Sequence, residues 1–118
     1  MARILVTDDQ PEQLALQRLL LEGLGYEVAT AETLAEMTAE MGRGRPDLFV
    51  VDLGMPCVSD GLRLIRKIRE SGCEAPIVVL SGWPDDIYGT PEEQMVSRVL
   101  FKGNARELLQ AIGELLAA

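Results

Sequence analysis

The chain has 118 residues, 47% of them hydrophobic, a formal net charge of −8 and no histidine. That length and balance describe one folded domain over residues 1–118 with a single core, and exclude a disordered segment. The acidity argues against direct contact with nucleic acid, which needs a basic face, and the missing histidine rules out imidazole catalysis, imidazole metal ligands and a phosphohistidine donor.

In chain order, Ile4-Leu5-Val6 reads as a first strand and leads to Asp8 and Asp9. Pro11 suits a helix start, where its missing N–H costs nothing. Leu14, Leu16, Leu19, Leu20 and Leu24 give that helix a broad apolar stripe, and Gly25 a stop. Residues 26–31 make a weaker second strand, and residues 32–41 a second helix closed by the turn Gly42-Arg43-Gly44-Arg45-Pro46. Leu48-Phe49-Val50-Val51 is a third strand that runs to Asp52. A third helix spans 61–70, with Leu62, Ile65 and Ile68 inside and Arg63, Arg66, Lys67 and Arg69 mostly facing solvent. Ile77-Val78-Val79-Leu80 leads to Ser81, after which Pro84, Gly89 and Pro91 interrupt any helical stripe. Thr90 as N-cap, Pro91 in the first position and Glu93 reaching back in a capping box predict a fourth helix that is short and delayed. Val99-Leu100-Phe101 leads to Lys102, and Asn104 caps a last helix with Leu108, Leu109, Ile112 and Leu115 inside. Cys57 and Cys73 form no zinc or redox motif and read as incidental reduced thiols. No apolar stretch approaches a membrane span and no secretory pattern opens the chain, which predicts a cytoplasmic protein without membrane contact.

Short apolar runs separated by helical patterns are the mark of buried parallel strands, whose carboxyl ends share one edge where ligands bind. Asp8, Asp9, Asp52, Ser81 and Lys102 should therefore converge. Each has a plainer reading: Asp9 as a helix cap, Asp8 as an exposed strand-end acid, Ser81-Gly82 as a turn, Lys102 as a surface lysine. The plain readings do not explain the coincidence, because an uncompensated acidic triplet in a crevice repels itself. Three carboxylates favour a hard cation bound through oxygen, Mg²⁺ among them. A carboxylate can also attack a phosphoryl group to give an acyl phosphate. Asp52, at the centre of the edge, is the natural nucleophile, with Mg²⁺, Lys102 and the Ser81 hydroxyl meeting charge on the transferring oxygens.

Over essentially its whole length the chain resembles the receiver domain of bacterial two-component response regulators. The resemblance is carried by Asp8-Asp9 after the first strand, by Asp52 opening DLGMPCVSDG, by Ser81-Gly82 and by Lys102. It implies a (βα)5 flavodoxin-like α/β fold, a doubly wound parallel sheet of order 2-1-3-4-5. It also implies that Asp52 is the phosphoacceptor and that Asp9, Asp52 and the Gly54 carbonyl hold Mg²⁺, with Asp8 helping through water. Ser81 becomes the hydroxyl that moves to the phosphoryl group and Lys102 its cationic partner. The implied donor is a histidine kinase or a phosphotransfer domain. The protein would phosphorylate and dephosphorylate itself without a separate substrate, and would signal through a conformational change to an unspecified partner or output domain.

Three departures from the family pattern stand out. Cys57-Val58-Ser59 puts one extra residue between Pro56 and Asp60. The usual Lys-Pro becomes Lys102-Gly103, where a cis peptide would cost about 2.5–4 kcal/mol, so a trans bond and a shifted loop are expected. Val99 stands where an aromatic switch residue is common, which points to altered output coupling. The Ser81-Gly82-Trp83 loop should overhang the crevice and move when Ser81 is drawn inward. Two rival readings are a degenerate receiver acting as a phosphorylation-independent binding module, and a phosphatase of the haloacid dehalogenase type. The second lacks its acid, since Gly54 occupies the position two after Asp52, and the domain has no room for a substrate cap.

Overall fold

Five strands of four or five residues pair in parallel in the order β2-β1-β3-β4-β5: β1 (Arg3–Thr7), β2 (Glu27–Ala31), β3 (Leu48–Asp52), β4 (Ile77–Ser81) and β5 (Arg98–Phe101). Four α-helices connect or follow them: α1 (Pro11–Gly23), α2 (Leu34–Arg43), α3 (Val58–Glu70) and α4 (Ala105–Ala117). This computed structural model describes residues 1–54 and 57–117. The sheet order reverses beside β1, so the connections wind both ways and cover both faces. Side chains alternate across each strand. Leu5, Phe49, Val51, Ile77 and Val79 pack with α3 residues Leu64, Ile65 and Ile68 and with Met37 of α2. Ile4, Val6, Leu48, Val50, Val78 and Leu80 pack with Leu14 and Leu21 of α1 and with Leu108 and Ile112 of α4. The expected α/β architecture and strand order are those observed.

Several local details depart from the sequence reading. In α1 the inward positions are Leu14, Gln17 and Leu21, whereas Leu16, Leu19 and Leu24 are exposed. At about 100° per residue, Leu16 and Leu19 lie well round the helix from Leu14 and cannot share its face. Gln17, inward in place of a leucine, keeps a buried Oε1 with no partner among the described residues. Helix α2 starts later than residue 32, because the Thr33 hydroxyl accepts the Glu36 N–H at 3.1 Å while the Glu36 carboxylate accepts the Glu32 N–H at 2.8 Å. Helix α3 starts earlier than residue 61, with Cys57 in the extended conformation of a cap.

The segment between β4 and β5 holds no α-helix. It has two 3-10 turns, Pro84–Asp86 and Pro91–Met95, in agreement with an expected short and irregular fourth helix. Its capping differs from expectation. The Thr90 hydroxyl donates to the Ile87 carbonyl at 2.6 Å, and the Glu93 carboxylate accepts from Gly89 rather than Thr90. Two of the supposedly solvated α3 cations hold this segment. Arg69 donates to the carbonyls of Met95, Cys73 and Ala75 at 3.0, 2.9 and 2.8 Å. Arg66 Nε lies 3.4 Å from the buried carboxylate of Glu92. The Asn104 cap is as expected, its Oδ1 accepting the Glu107 N–H at 3.1 Å. No helix is long and apolar enough to cross a membrane among the described residues.

Candidate functional site

Parallel pairing aligns the strand ends. Thr7 pairs with Val51, Asp52 with Leu80, and Ser81 with Phe101, so the residues that follow each strand meet at one edge. The Thr7 hydroxyl donates to the Val50 carbonyl at 3.2 Å and pins β1 to β3 just below that edge. Asp8, Asp52 and Ser81 are buried there, and Asp9 is exposed. One carboxylate oxygen from each of Asp8, Asp9 and Asp52 can be chosen so that all three lie within 4.8 Å of one another. The five sequence candidates are thus brought to one place.

The carboxylate of Asp52 is held at both oxygens. Oδ2 accepts from Lys102 Nζ at 2.8 Å, and Oδ1 accepts from the Gly54 N–H at 3.2 Å. Burial works to lower the pKa of the Lys102 ammonium, but the hydrogen bond and charge of Asp52, backed by Asp8 and Asp9, outweigh it and raise it above the ordinary lysine value. On Asp8, burial is the leading influence and raises the pKa to about 6. The neighbouring Asp52 adds to the rise, against the Gln10 N–H and the charge of Lys102. Asp8 Oδ1 accepts that Gln10 N–H at 2.9 Å, whereas Oδ2 is buried without a partner among the described residues. A buried, unpartnered carboxylate oxygen on a residue grouped with two more carboxylates is what a hard oxygen-seeking cation would satisfy. Gly54 borders the same space, since a Cβ built on it would lie 3.9 Å from Asp52 Oδ1.

The plain reading of Asp9 fails, because Gln10 takes the cap position of α1 and makes no side-chain cap bond. The backbone of Gln10 was not a candidate from sequence, although an acid two residues ahead of a helix start is the signal for such a turn. The Ser81 hydroxyl accepts the Trp83 N–H at 3.0 Å, and the Ser81 carbonyl accepts the Lys102 N–H at 2.9 Å. Trp83 itself is 67% exposed, so its tie to the site runs through its backbone. Gly103 takes φ +98°, which a proline ring fixed near −65° cannot adopt. Val99 is half-buried against the core that includes Val79 and Ile87. Of residues 57–59, Cys57 takes the cap position and Val58 and Ser59 open α3; Met55 and Pro56 of the motif lie outside the described residues.

Fold, strand-end acids, hydroxyl and lysine define a receiver, and the chain belongs to the response regulator receiver domain family, whose model matches residues 4–113. It is 36% identical over 90 residues to the virulence transcriptional regulatory protein PhoP of Salmonella typhimurium (strain LT2), covering 74% of this chain and 40% of that protein. The chain thus spans about 40% of the length of such curated relatives. Among solved structures, the response regulator TrrA of Thermotoga maritima in complex with Mg²⁺-BeF is 30% identical with a TM-score of 0.85, over 98% of this chain and 99% of that one. TrrA in complex with the histidine kinase ThkA is 31% identical with a TM-score of 0.83, again over 98% and 99%.

Proposed function

We propose that this chain is a working phosphoacceptor, in which Asp52 takes a phosphoryl group from the phosphohistidine of a histidine kinase or a phosphotransfer domain. The observation that carries this reading is the buried Asp52 carboxylate, 2.8 Å from Lys102 and grouped with Asp8 and Asp9. A carboxylate oxygen of Asp52 forms the new P–O bond as the donor's P–N bond breaks, and the donor imidazole takes up a proton. Asp8, Asp9, Asp52 and the Gly54 carbonyl are the groups that would hold Mg²⁺, and the relation to TrrA, seen with Mg²⁺-BeF and with a histidine kinase, supports that choice. When bound, the cation supplies positive charge opposite the transferring oxygens. Lys102 supplies a second positive charge from within the protein. Ser81 turns its hydroxyl from the Trp83 N–H to a phosphoryl oxygen, and its movement carries the signal to the loop that follows β4. Hydrolysis of the acyl phosphate resets the domain without a second substrate. The intact acids, hydroxyl and lysine favour this reading over a phosphorylation-independent binding module.

Incubation with Mg²⁺ and acetyl phosphate, followed by intact mass, tests the proposal. One phosphoryl adduct should form on the wild type, none on Asp52→Asn, and none when EDTA replaces Mg²⁺. Undiminished labelling of Asp52→Asn would sink the assignment.

A further inference from the structure

The first turn of α3 presses against the loop leaving β3. A Cβ built on Gly61 would overlap the carbonyl oxygen of Leu53, at 2.6 Å from the Leu53 carbonyl carbon and 2.7 Å from its Cα. The atoms met are backbone, so no rotamer change relieves the overlap. Glycine inside a helix is a cost relative to alanine, and close approach is the physical reason for it here.

Leu53 has nowhere to retreat. Its N–H donates to the Leu80 carbonyl at 2.9 Å, its side chain is fully buried, and every residue of β3 before it is buried. The carbonyl that faces Gly61 belongs to the Leu53–Gly54 peptide, a planar unit whose other end is the Gly54 N–H. That N–H donates to Asp52 Oδ1. One rigid plane thus meets α3 at one end and the Asp52 carboxylate at the other.

We propose that Gly61 is a positioning residue for Asp52: by carrying no side chain, it lets α3 hold the Leu53–Gly54 peptide in the orientation that aims the Asp52 carboxylate and sets the Gly54 carbonyl. The inference rests on the phosphoacceptor reading above. A methyl group at position 61 forces the peptide plane to tilt, which breaks the Gly54–Asp52 hydrogen bond, or α3 to lift, which removes the contact that fixes that plane.

Gly42 in α2 and Gly113 in α4 lie in open helical positions, where a Cβ meets nothing within 4 Å. Alanine at both makes a background with stronger helices and an untouched site. In that background Gly61→Ala should weaken Mg²⁺ binding, measured by titration calorimetry, by about tenfold or more. Labelling by acetyl phosphate should slow in step, while far-UV circular dichroism still reports a folded chain. A folded Gly61→Ala that binds Mg²⁺ and labels as well as the background would overturn the proposal. Failure to fold even in that background would overturn it too, by making the role of Gly61 structural alone. A background that itself takes no phosphoryl group would instead overturn the phosphoacceptor reading, and the positioning role with it.

Discussion

At the scale of single residues, the acidic edge trades stability for chemistry. Asp8 has its pKa raised to about 6 by burial and by Asp52 in the metal-free protein. A raised carboxyl pKa contributes stability that is present in full below the unfolded value and is lost as pH rises through the folded one. The metal-free protein therefore bears the whole cost at pH 7, on the order of 2–3 kcal/mol at most. Asp8→Asn keeps an oxygen for the Gln10 N–H and removes the charge. It should raise the urea midpoint of the metal-free protein at pH 7 and change it little near pH 4, while blunting the stabilisation given by Mg²⁺. Equal gains at both pH values would assign the effect to packing instead of charge. Asp8, Asp9, Asp52, Ser81 and Lys102 were all candidates from sequence because each lies within three residues of the end of an apolar run. The partners that hold them, Gln10 N–H, Gly54 N–H and Trp83 N–H, are backbone groups, and residue type says little about where a backbone N–H points.

Among the elements, the segment between β4 and β5 depends on α3 for its place. Three carbonyls from two stretches of chain converge on one Arg69 guanidinium, and burial lowers its pKa below the ordinary arginine value. Arg69→Ala should cost about 1–3 kcal/mol, from lost charged hydrogen bonds and carbonyls left unsatisfied. Limited proteolysis should then open the chain between residues 83 and 95 before it cuts elsewhere. Arg69→Lys should restore little of this, because an ammonium cannot fork toward three fixed acceptors as a planar guanidinium does. Unchanged urea and protease profiles for Arg69→Ala would show that the 3-10 turns hold themselves. The basic run of α3 looked like a solvated face because four cations in seven residues match that pattern locally. The turn after α3 supplies the Cys73 and Ala75 carbonyls, and the chain folded back from β4 adds the Met95 carbonyl for Arg69 and the buried Glu92 for Arg66. The leucines of α1 mislead in the opposite sense, since hydrophobic type marks a face only when the angular spacing agrees.

Across the molecule, the proposed phosphoacceptor needs a route from a buried carboxylate to a surface, and Val99 offers no aromatic ring to swing. A continuous chain of hydrogen bonds runs from Asp52 to Lys102, from the Lys102 N–H to the Ser81 carbonyl, from the Ser81 hydroxyl to the Trp83 N–H, and from the Trp83 carbonyl to the first 3-10 turn. Phosphorylation should draw the Ser81 hydroxyl from Trp83 and shift the emission of this single tryptophan in the wild type. Asp52→Asn given the same phosphodonor should show no such shift. Full phosphorylation by mass with unchanged emission would move the output route elsewhere. By itself the sequence determined the alternation of strand and helix, the sheet order implied by the family resemblance, and which side chains end up along one sheet edge, because apolar periodicity and strand-end chemistry are properties of neighbours along the chain. Which face of α1 is buried, which α3 cations turn inward, and why position 61 excludes a side chain were decided by tertiary structure alone. The sheet selects the face of α1, Arg66 and Arg69 reach Glu92 and Met95 only after the chain returns, and Gly61 meets the Leu53 backbone only once α3 packs beside β3. None of these contacts is written in residue type.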